Sequence, residues 1–322
     1  MFYVLDIIVA VIIDWIVGDP YGLPHPVIYI GKLIKLLERN GRKVCKTDKT
    51  LKMFGGLIVL IVMSVSFVIP FSILFITKSM PIVHHVINIL ILWTTLACKC
   101  LKDEAKKVFN SLNKGDIEDA RIKLSYIVGR ETSNLNETEI IRADIETVAE
   151  NASDGVIAPL IFAIIGGAPL AMMYKGINTM DSMLGYLTKE YKYIGFFPAK
   201  VDDIFNFIPA RLTGVLMCLC APLIGGNIFN SIKIMLRDRK NHKSPNCAYP
   251  EGAAAGAMGI QLGGTNTYFG EVIYKPTIGD KINELKKEHI NYCIRLMYAS
   301  ESLLLIIYCG YKFIDSIKFP LL

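Results

Sequence analysis

Residues 55–76 read GGLIVLIVMSVSFVIPFSILFI, a run without a single charge. As a helix, a stretch of this length crosses about 30 Å of hydrocarbon. It also pairs every backbone N–H and C=O within itself, as a bilayer demands. This reading decides the fold class: all-α, a polytopic helical membrane protein. Weaker runs follow at 82–98, 156–173 and 210–229, the last with Arg211 near its start. The N-terminal run 2–17 is shorter and contains Asp6 and Asp14, and 303–314 is shorter still. The whole chain fits a single integral membrane domain over 1–322, being 52% hydrophobic with a mean hydropathy of +0.42. A soluble protein would show more polar surface and shorter apolar runs.

The start of the chain lacks the basic region of a signal peptide, and Asp6 interrupts its apolar core. The eight cysteines form no CxxC, so neither zinc nor a disulfide framework is indicated. The net charge of +6 has a source other than nucleic-acid binding: residues 32–52 hold eight basic side chains beside the first strong span. Such a cluster marks a cytoplasmic loop on the bilayer surface. Residues 99–155 alternate apolar and charged positions at helical spacing, with a turn at Asn113-Lys114-Gly115-Asp116. They are expected as an amphipathic helical hairpin on the cytoplasmic face. Polar stretches follow at 175–206 and 233–300. Alternation puts 175–206 outside, whereas a break at Gly166-Gly167-Ala168-Pro169 would let the preceding segment re-enter and keep it inside.

Polar clusters flank the apolar segments. In IETVAENASDG, residues 145–155, the acids Glu146, Glu150 and Asp154 stand four apart, on one face of a helix. Stacked like charges repel, so a cation, a basic ligand or solvent has to offset them. An Asn and an Asp recur three apart: Asn151/Asp154, Asn178/Asp181 and, reversed, Asp203/Asn206. One such pair is what a helix cap or a solvated face provides. Three pairs interleaved with Arg130, Arg142, Lys175 and Arg211 suit Mg²⁺ and phosphate, because Mg²⁺ takes hard oxygen ligands and bridges to phosphates. Gly263-Gly264 allows close backbone approach to a phosphate. The small-residue run 252–259 reads equally as tight helix packing, and Glu251 as a first-turn acid. No GxxxxGK[ST] is present, nor a legible Ser/His/Asp nucleophile pattern.

Taken together, RADIETVAENASDGVIAPL, YKGINTMDSMLGY, DDIFNFIPARLTG and SPNCAYPEGAAAGAMGIQLGG resemble, in order, the adenosylcobinamide-phosphate synthase family of cobalamin biosynthesis. DWIVGDPYGLPHPVIYIGKLI near the start and GGTNTYFGE match it too, so the resemblance covers nearly the whole chain. It departs from the family pattern at Cys247-Ala248-Tyr249 and at Glu131. The resemblance implies a multi-pass cell-membrane enzyme with its active site on the cytoplasmic face. Such an enzyme joins a carboxylate of adenosylcobyric acid to (R)-1-aminopropan-2-ol O-phosphate, or to the free amino alcohol, using ATP and Mg²⁺. Its partners would be that corrinoid, the amino alcohol phosphate, the lipid bilayer and other enzymes of the pathway, with no nucleic acid. Amide formation from a free carboxylate is uphill in water, so the carboxylate must first be activated, which calls for a metal, phosphate-holding cations and an acid/base group. Glu150, Asp154 and Asp181 are expected as catalytic residues, with Asn151, Asp154, Asp181, Asp202 and Asp203 as metal ligands. Arg130, Lys175, Asn178, Arg211, Ser244, Asn246, Glu251, Gly263 and Gly264 are expected to bind substrate or phosphate.

Two rivals use similar residues. A Mg²⁺-dependent intramembrane prenyltransferase also holds a diphosphate on paired Asp/Asn motifs, but it has no need of SPN…PEGA or the HPV turn. A transporter would place its acids at mid-membrane depth, whereas Asp154, Asp181 and Asp203 flank apolar segments.

Overall fold

The computed structural model describes residues 2–20, 22, 24–186, 188–268 and 271–318. It is a polytopic all-α membrane protein with one small hairpin of strands among the described residues. Among the described residues, five helical stretches are long and apolar enough to cross a bilayer: 48–77, 81–113, 137–184, 207–224 and 288–317. The chain divides into two compact units, one of residues 2–97, 158–206 and 315–318, the other of residues 98–157 and 207–314.

The first unit contains α1 (Phe2–Ile16), α2 (Pro26–Val44), α3 (Asp48–Thr77), α4 (Pro81–Trp93), α8 (Ala158–Leu184) and α9 (Phe196–Phe205). Thr47 caps α3 in a reciprocal pair with Thr50, so the apolar run at 55–76 begins one turn inside a well-started helix. Its buried stripe, Ile58, Val59 and Val62, packs with Ile177, Met180 and Leu184 of α8 and with Ile30 and Ile34 of α2. The α3–α8 approach is close: a Cβ on Gly176 would lie 2.5 Å from the Ser66 hydroxyl. Helix α1 has 15 residues, about 22 Å along its axis, so the expected N-terminal span falls short of a full crossing.

Other boundaries also move. Helix α8 breaks where the glycine pair predicts it, Gly167 taking φ +68 ahead of Pro169. It then continues to Leu184, so Lys175, Asn178 and Asp181 sit on a helix and not in the expected polar loop.

The second unit opens with the predicted helical hairpin, α5 (Cys98–Asn113) and α6 (Ile117–Ser125), turned at Gly115 with φ +76 and capped by Asp116. Next come α7 (Glu137–Asn151), a π-helical turn at Ala152–Ile157, and α10 (Phe207–Cys220) followed by a 3₁₀ turn at Ala221–Ile224. That stretch ends at Gly225, φ +77, so the span expected at 210–229 stops at 224 and Asn227 starts the next helix. Helices α11 (Ile228–Asp238) and α12 (Ala248–Met258) pack backbone to backbone: a Cβ on Gly256 would lie 2.7 Å from Ser231 Cα. Tight packing through small residues is therefore what the run 252–259 does.

Strands β1 (Leu262–Tyr268) and β2 (Glu271–Ile278) pair antiparallel, with Gly264 opposite Lys275 and an irregularity between Leu262 and Gly264. Helix α13 (Glu288–Lys318) closes the chain. It contains the short run 303–314 and extends it upstream to a length that spans.

Candidate functional site

In the second unit the site grows from α7. Asn136 and Glu139 cap each other's backbone at its start, and Arg142, Glu146 and Glu150 follow at steps of four on one face. Glu146 is buried, and the protein itself offsets it. Arg130 Nη2 donates to Oε2 at 2.6 Å, the Gly263 N–H donates to Oε1 at 2.8 Å, and Arg142 Nε lies 4.0 Å from Oε1. Arg130 Nη1 donates to Asn266 Oδ1 at 2.7 Å. The side chains of Arg130 and Glu146 are 7% and 4% exposed, so this is a buried ion pair. Arg130, expected as an anion holder, is thus engaged by Glu146.

Past Asn151 the chain winds as a π-helical turn, a feature frequent at functional sites. Asp154 lies on that turn, and Asn151 donates back to the Thr147 carbonyl at 2.9 Å. The pair Asn151/Asp154 therefore straddles a change of helix type. Glu150 Oε1 accepts from the Cys247 thiol at 3.0 Å. Burial pushes that thiol well above its ordinary range, and the neighbouring Glu150, Asp154 and Glu251 push it further. Cys247 therefore stays protonated and donates. Glu251, buried in the first turn of α12, is also raised well above the usual carboxylate range. Burial is the main cause, followed by Glu146 and Glu150, and Lys275 and Arg130 offset part of it. A carboxyl raised above its ordinary range thus stands beside other acids, the kind of arrangement that separates acid from base roles.

Beside it, His242 Nδ1 accepts from the Ser244 N–H at 3.0 Å, and Nε2 lies 3.3 Å from Lys275 Nζ. Burial holds His242 below its ordinary range, against the pull of Glu150. Ser244 Oγ accepts from the Asn246 N–H at 3.2 Å, and Asn246 Oδ1 accepts from Arg211 at 3.2 Å. Arg211 is stacked 3.5 Å from the Phe207 ring and 4.3 Å from the Tyr249 ring, which fixes its guanidinium. The structure thus brings together Arg130, Gly263 and Glu251 around Glu146, and Ser244, Asn246 and Arg211 in a second chain. Gly264 lies one residue along β1 at φ +91, its missing Cβ 3.2 Å from Arg142 Nη1.

The first unit holds its own acid cluster. Asp202 is buried, with Asp181 close enough to act on it, and its pKa rises to about 7. Burial is the larger cause and Asp181 the next, while the Asn206 and Asn178 amides pull the other way. Asn206 Nδ2 donates to Asp202 Oδ2 at 3.0 Å, and Tyr174 donates to Asn206 Oδ1 at 2.8 Å. Asn206 thus bonds Asp202, a full turn away, and Asp203 pairs with Lys200 at 3.1 Å. Lys175 is half-buried on α8, one turn before Asn178.

Asp202 Oδ1 is buried without a hydrogen bond. An orphaned hard oxygen beside Asp181 fits a divalent cation. Among the described residues, no three of the predicted acids bring carboxylate oxygens within 4.8 Å of one another. Mg²⁺ binds through one or two carboxylates while keeping its waters, so the Asp181/Asp202 pair is an adequate donor set.

Cys247, His242, Lys275 and Asn266 were not picked out from sequence. Lys275 is a lone cation in a strand and His242 sits in a basic loop, so their roles come from partners distant in the chain.

No solved structure matches this chain. A cobalamin biosynthesis protein CobD from Clostridium acetobutylicum is 70% identical over 304 residues, covering 94% of this chain and 96% of the relative. CobD of Geobacter metallireducens is 47% identical, with 94% of each chain covered. The cobalamin biosynthesis protein CbiB of Salmonella typhimurium is 44% identical over 92% of this chain and 93% of its own. The family model described as CobD/Cbib protein matches residues 7–297, and this chain belongs to that family.

Proposed function

We propose that this chain acts in cobalamin biosynthesis as a membrane-embedded carbon–nitrogen ligase. It would join a carboxylate of adenosylcobyric acid to (R)-1-aminopropan-2-ol O-phosphate, or to the free amino alcohol, with ATP as the driving cosubstrate. The product is adenosylcobinamide phosphate, or adenosylcobinamide. The names of the relatives support the pathway. The observation that carries the chemistry is the juxtaposition of Glu251, raised above the usual carboxylate range, with Glu150 and Asp154 around the Cys247 thiol. Condensation of an amine with an activated carboxylate needs a group that accepts the ammonium proton and a group that donates to the leaving oxygen. Glu150 is assigned the first role and Glu251 the second. Arg211, immobilised between two rings, is positioned to hold an anion. Mg²⁺, when bound, neutralises phosphate charge, and Asp181 and Asp202 are the residues to hold it. The basic stretch 32–52 argues that the adjoining face is cytoplasmic in the cell membrane, where the corrinoid and other enzymes of the pathway would be met.

The test is ligation by detergent-solubilised protein given adenosylcobyric acid, aminopropanol phosphate and Mg-ATP. Corrinoid mass and ADP release are followed. The expected result is a corrinoid that gains the amide-linked side chain, with ADP formed only when both substrates are present. Intact corrinoid and no ADP from folded protein would refute the ligase. Consumption of an isoprenoid diphosphate instead would favour the prenyltransferase. Undiminished ligation by Glu150→Ala or Asp181→Ala would remove the roles given to those residues.

A further inference from the structure

A cleft of about 400 Å³ opens in the second unit, where the first turns of α7 meet the start of β1 and the segment 281–285. This size lies within the range of small-ligand sites. Its lining divides into donors and acceptors. Arg142 spends Nη2 on the Thr265 carbonyl at 3.1 Å and turns Nε towards Glu146, 4.0 Å away. Among the described residues Nη1 makes no hydrogen bond. Gly264, at φ +91 with the place of its Cβ 3.2 Å from Nη1, leaves that nitrogen uncovered. Lys281 is exposed on the same cleft and, among the described residues, in no ion pair, and Thr138 adds a hydroxyl.

The acceptors come from Gln261, Asn283 and Glu284. Asn283 uses its NH₂ on the Met258 carbonyl at 2.8 Å, and Gln261 uses its own on the Gly279 carbonyl at 3.3 Å. Both are left with carbonyl oxygens to offer. Among the described residues, Glu284 is exposed with no ion-pair partner. None of the described residues that line the cleft is aromatic, so they give a nucleotide base nothing to stack on.

We propose that this cleft binds a small zwitterion, seating its phosphate on Arg142 and Lys281 and its ammonium on Glu284 with the Gln261 and Asn283 carbonyls. This rests on the ligase reading only for the ligand's identity, which would then be the amino alcohol phosphate. A guanidinium and an ammonium suit phosphate oxygens in complementary ways, one as a fork and the other as a point charge. Placing an acid and two amide oxygens in the same cleft selects against inorganic phosphate alone.

O-phosphoethanolamine, inorganic phosphate and ethanolamine are the probes, titrated calorimetrically into the full-length protein in detergent without ATP or corrinoid. O-phosphoethanolamine should bind at least tenfold tighter than either fragment. Lys281→Gln should weaken it and phosphate alike, each by roughly tenfold, the worth of one charge-assisted hydrogen bond. Glu284→Gln should weaken O-phosphoethanolamine and leave phosphate unchanged. Both residues are exposed, so these variants fold even if Arg142→Gln does not. Equal binding of O-phosphoethanolamine by wild type and by the Lys281→Gln/Glu284→Gln double variant would overturn the proposal. So would binding of phosphate alone with the same affinity as the zwitterion. The two readings fail separately: the binding pattern without ligation would refute only the ligase, and ligation with an unchanged amino-alcohol KM in Lys281→Gln would refute only the cleft.

Discussion

Replacing Arg130 by Met separates two meanings of that residue. If Arg130 only held phosphate, Arg130→Met would abolish activity and leave the protein as stable as wild type. The geometry demands otherwise. The guanidinium is 7% exposed and gives one hydrogen bond of 2.6 Å to Glu146 and one of 2.7 Å to Asn266. Its removal leaves the Glu146 carboxylate, itself 4% exposed, with the Gly263 N–H and an Arg142 that approaches only to 4.0 Å. Breaking a buried pair by deleting one partner costs about 3–5 kcal/mol. At roughly 2–4 °C per kcal/mol for a sizeable domain, the melting temperature should drop by about 10 °C. Arg130→Met/Glu146→Leu should recover part of that loss, since the buried carboxylate leaves together with its guanidinium while the Gly263 N–H loses its acceptor. The assay is thermal unfolding of the detergent-solubilised protein, followed by intrinsic fluorescence and size exclusion, for wild type, both single variants and the double. An Arg130→Met protein melting within 2 °C of wild type, or a double variant less stable than either single, would refute the buried-pair reasoning.

Asp202 should make stability fall as pH rises. Its native pKa of about 7 against an ordinary 3.8 means that the folded state keeps a proton the unfolded state has released. Stability should therefore be full below pH 4 and lost progressively towards pH 7, by up to about 4 kcal/mol. Mg²⁺ should restore melting temperature most at the alkaline end, and Asp202→Asn should flatten both dependences; a magnesium effect independent of pH would count against the assignment. Gly256→Ala sets a methyl 2.7 Å from Ser231 Cα and 2.9 Å from the Asn230 carbonyl, so it should destabilise by about 1–3 kcal/mol in the same melting assay. Cys247, buried with its thiol held protonated, should react with iodoacetamide at pH 8 far more slowly than half-buried Cys45, as read by peptide mass spectrometry.

What could be read from sequence was what composition or local turn chemistry encodes. The run 55–76 announces a span because a bilayer leaves an uncharged run of that length few alternatives. The break at Gly166-Gly167 and the turn at Gly115 were legible because positive φ is a glycine property. The strand pair escaped because LGGTNTY opens on glycines that weaken any strand signal, although EVIYKPTI carries the β-branched and aromatic residues of one. Helical spacing put Glu146 and Glu150 on one face of α7, with Asp154 on the π-helical turn beyond it. It did not reveal that Arg130, sixteen residues earlier, would pair with Glu146. Nor did it reveal that Cys247, Lys275 and His242 would gather near Glu150, since separation along the chain leaves no periodic trace. The Asp203/Asn206 spacing did not show that Asn206, which terminates α9, reaches back a full turn to Asp202.

Helix α12, with Glu251 near its start, is built of almost nothing but backbone. Seven of its eleven residues, AYPEGAAAGAM, are alanine or glycine, which have no side-chain rotamers to lose on folding. Ordering those seven therefore costs main-chain entropy alone, and Gly252 and Gly256 let the α11 backbone press directly against the helix. A support of this kind has few internal ways to relax. The position of the Glu251 carboxyl should accordingly be as sharply defined before substrate arrives as after. The helix would contribute to catalysis by stillness, and its tolerance to enlargement at positions 252 and 256 should be among the lowest in the chain.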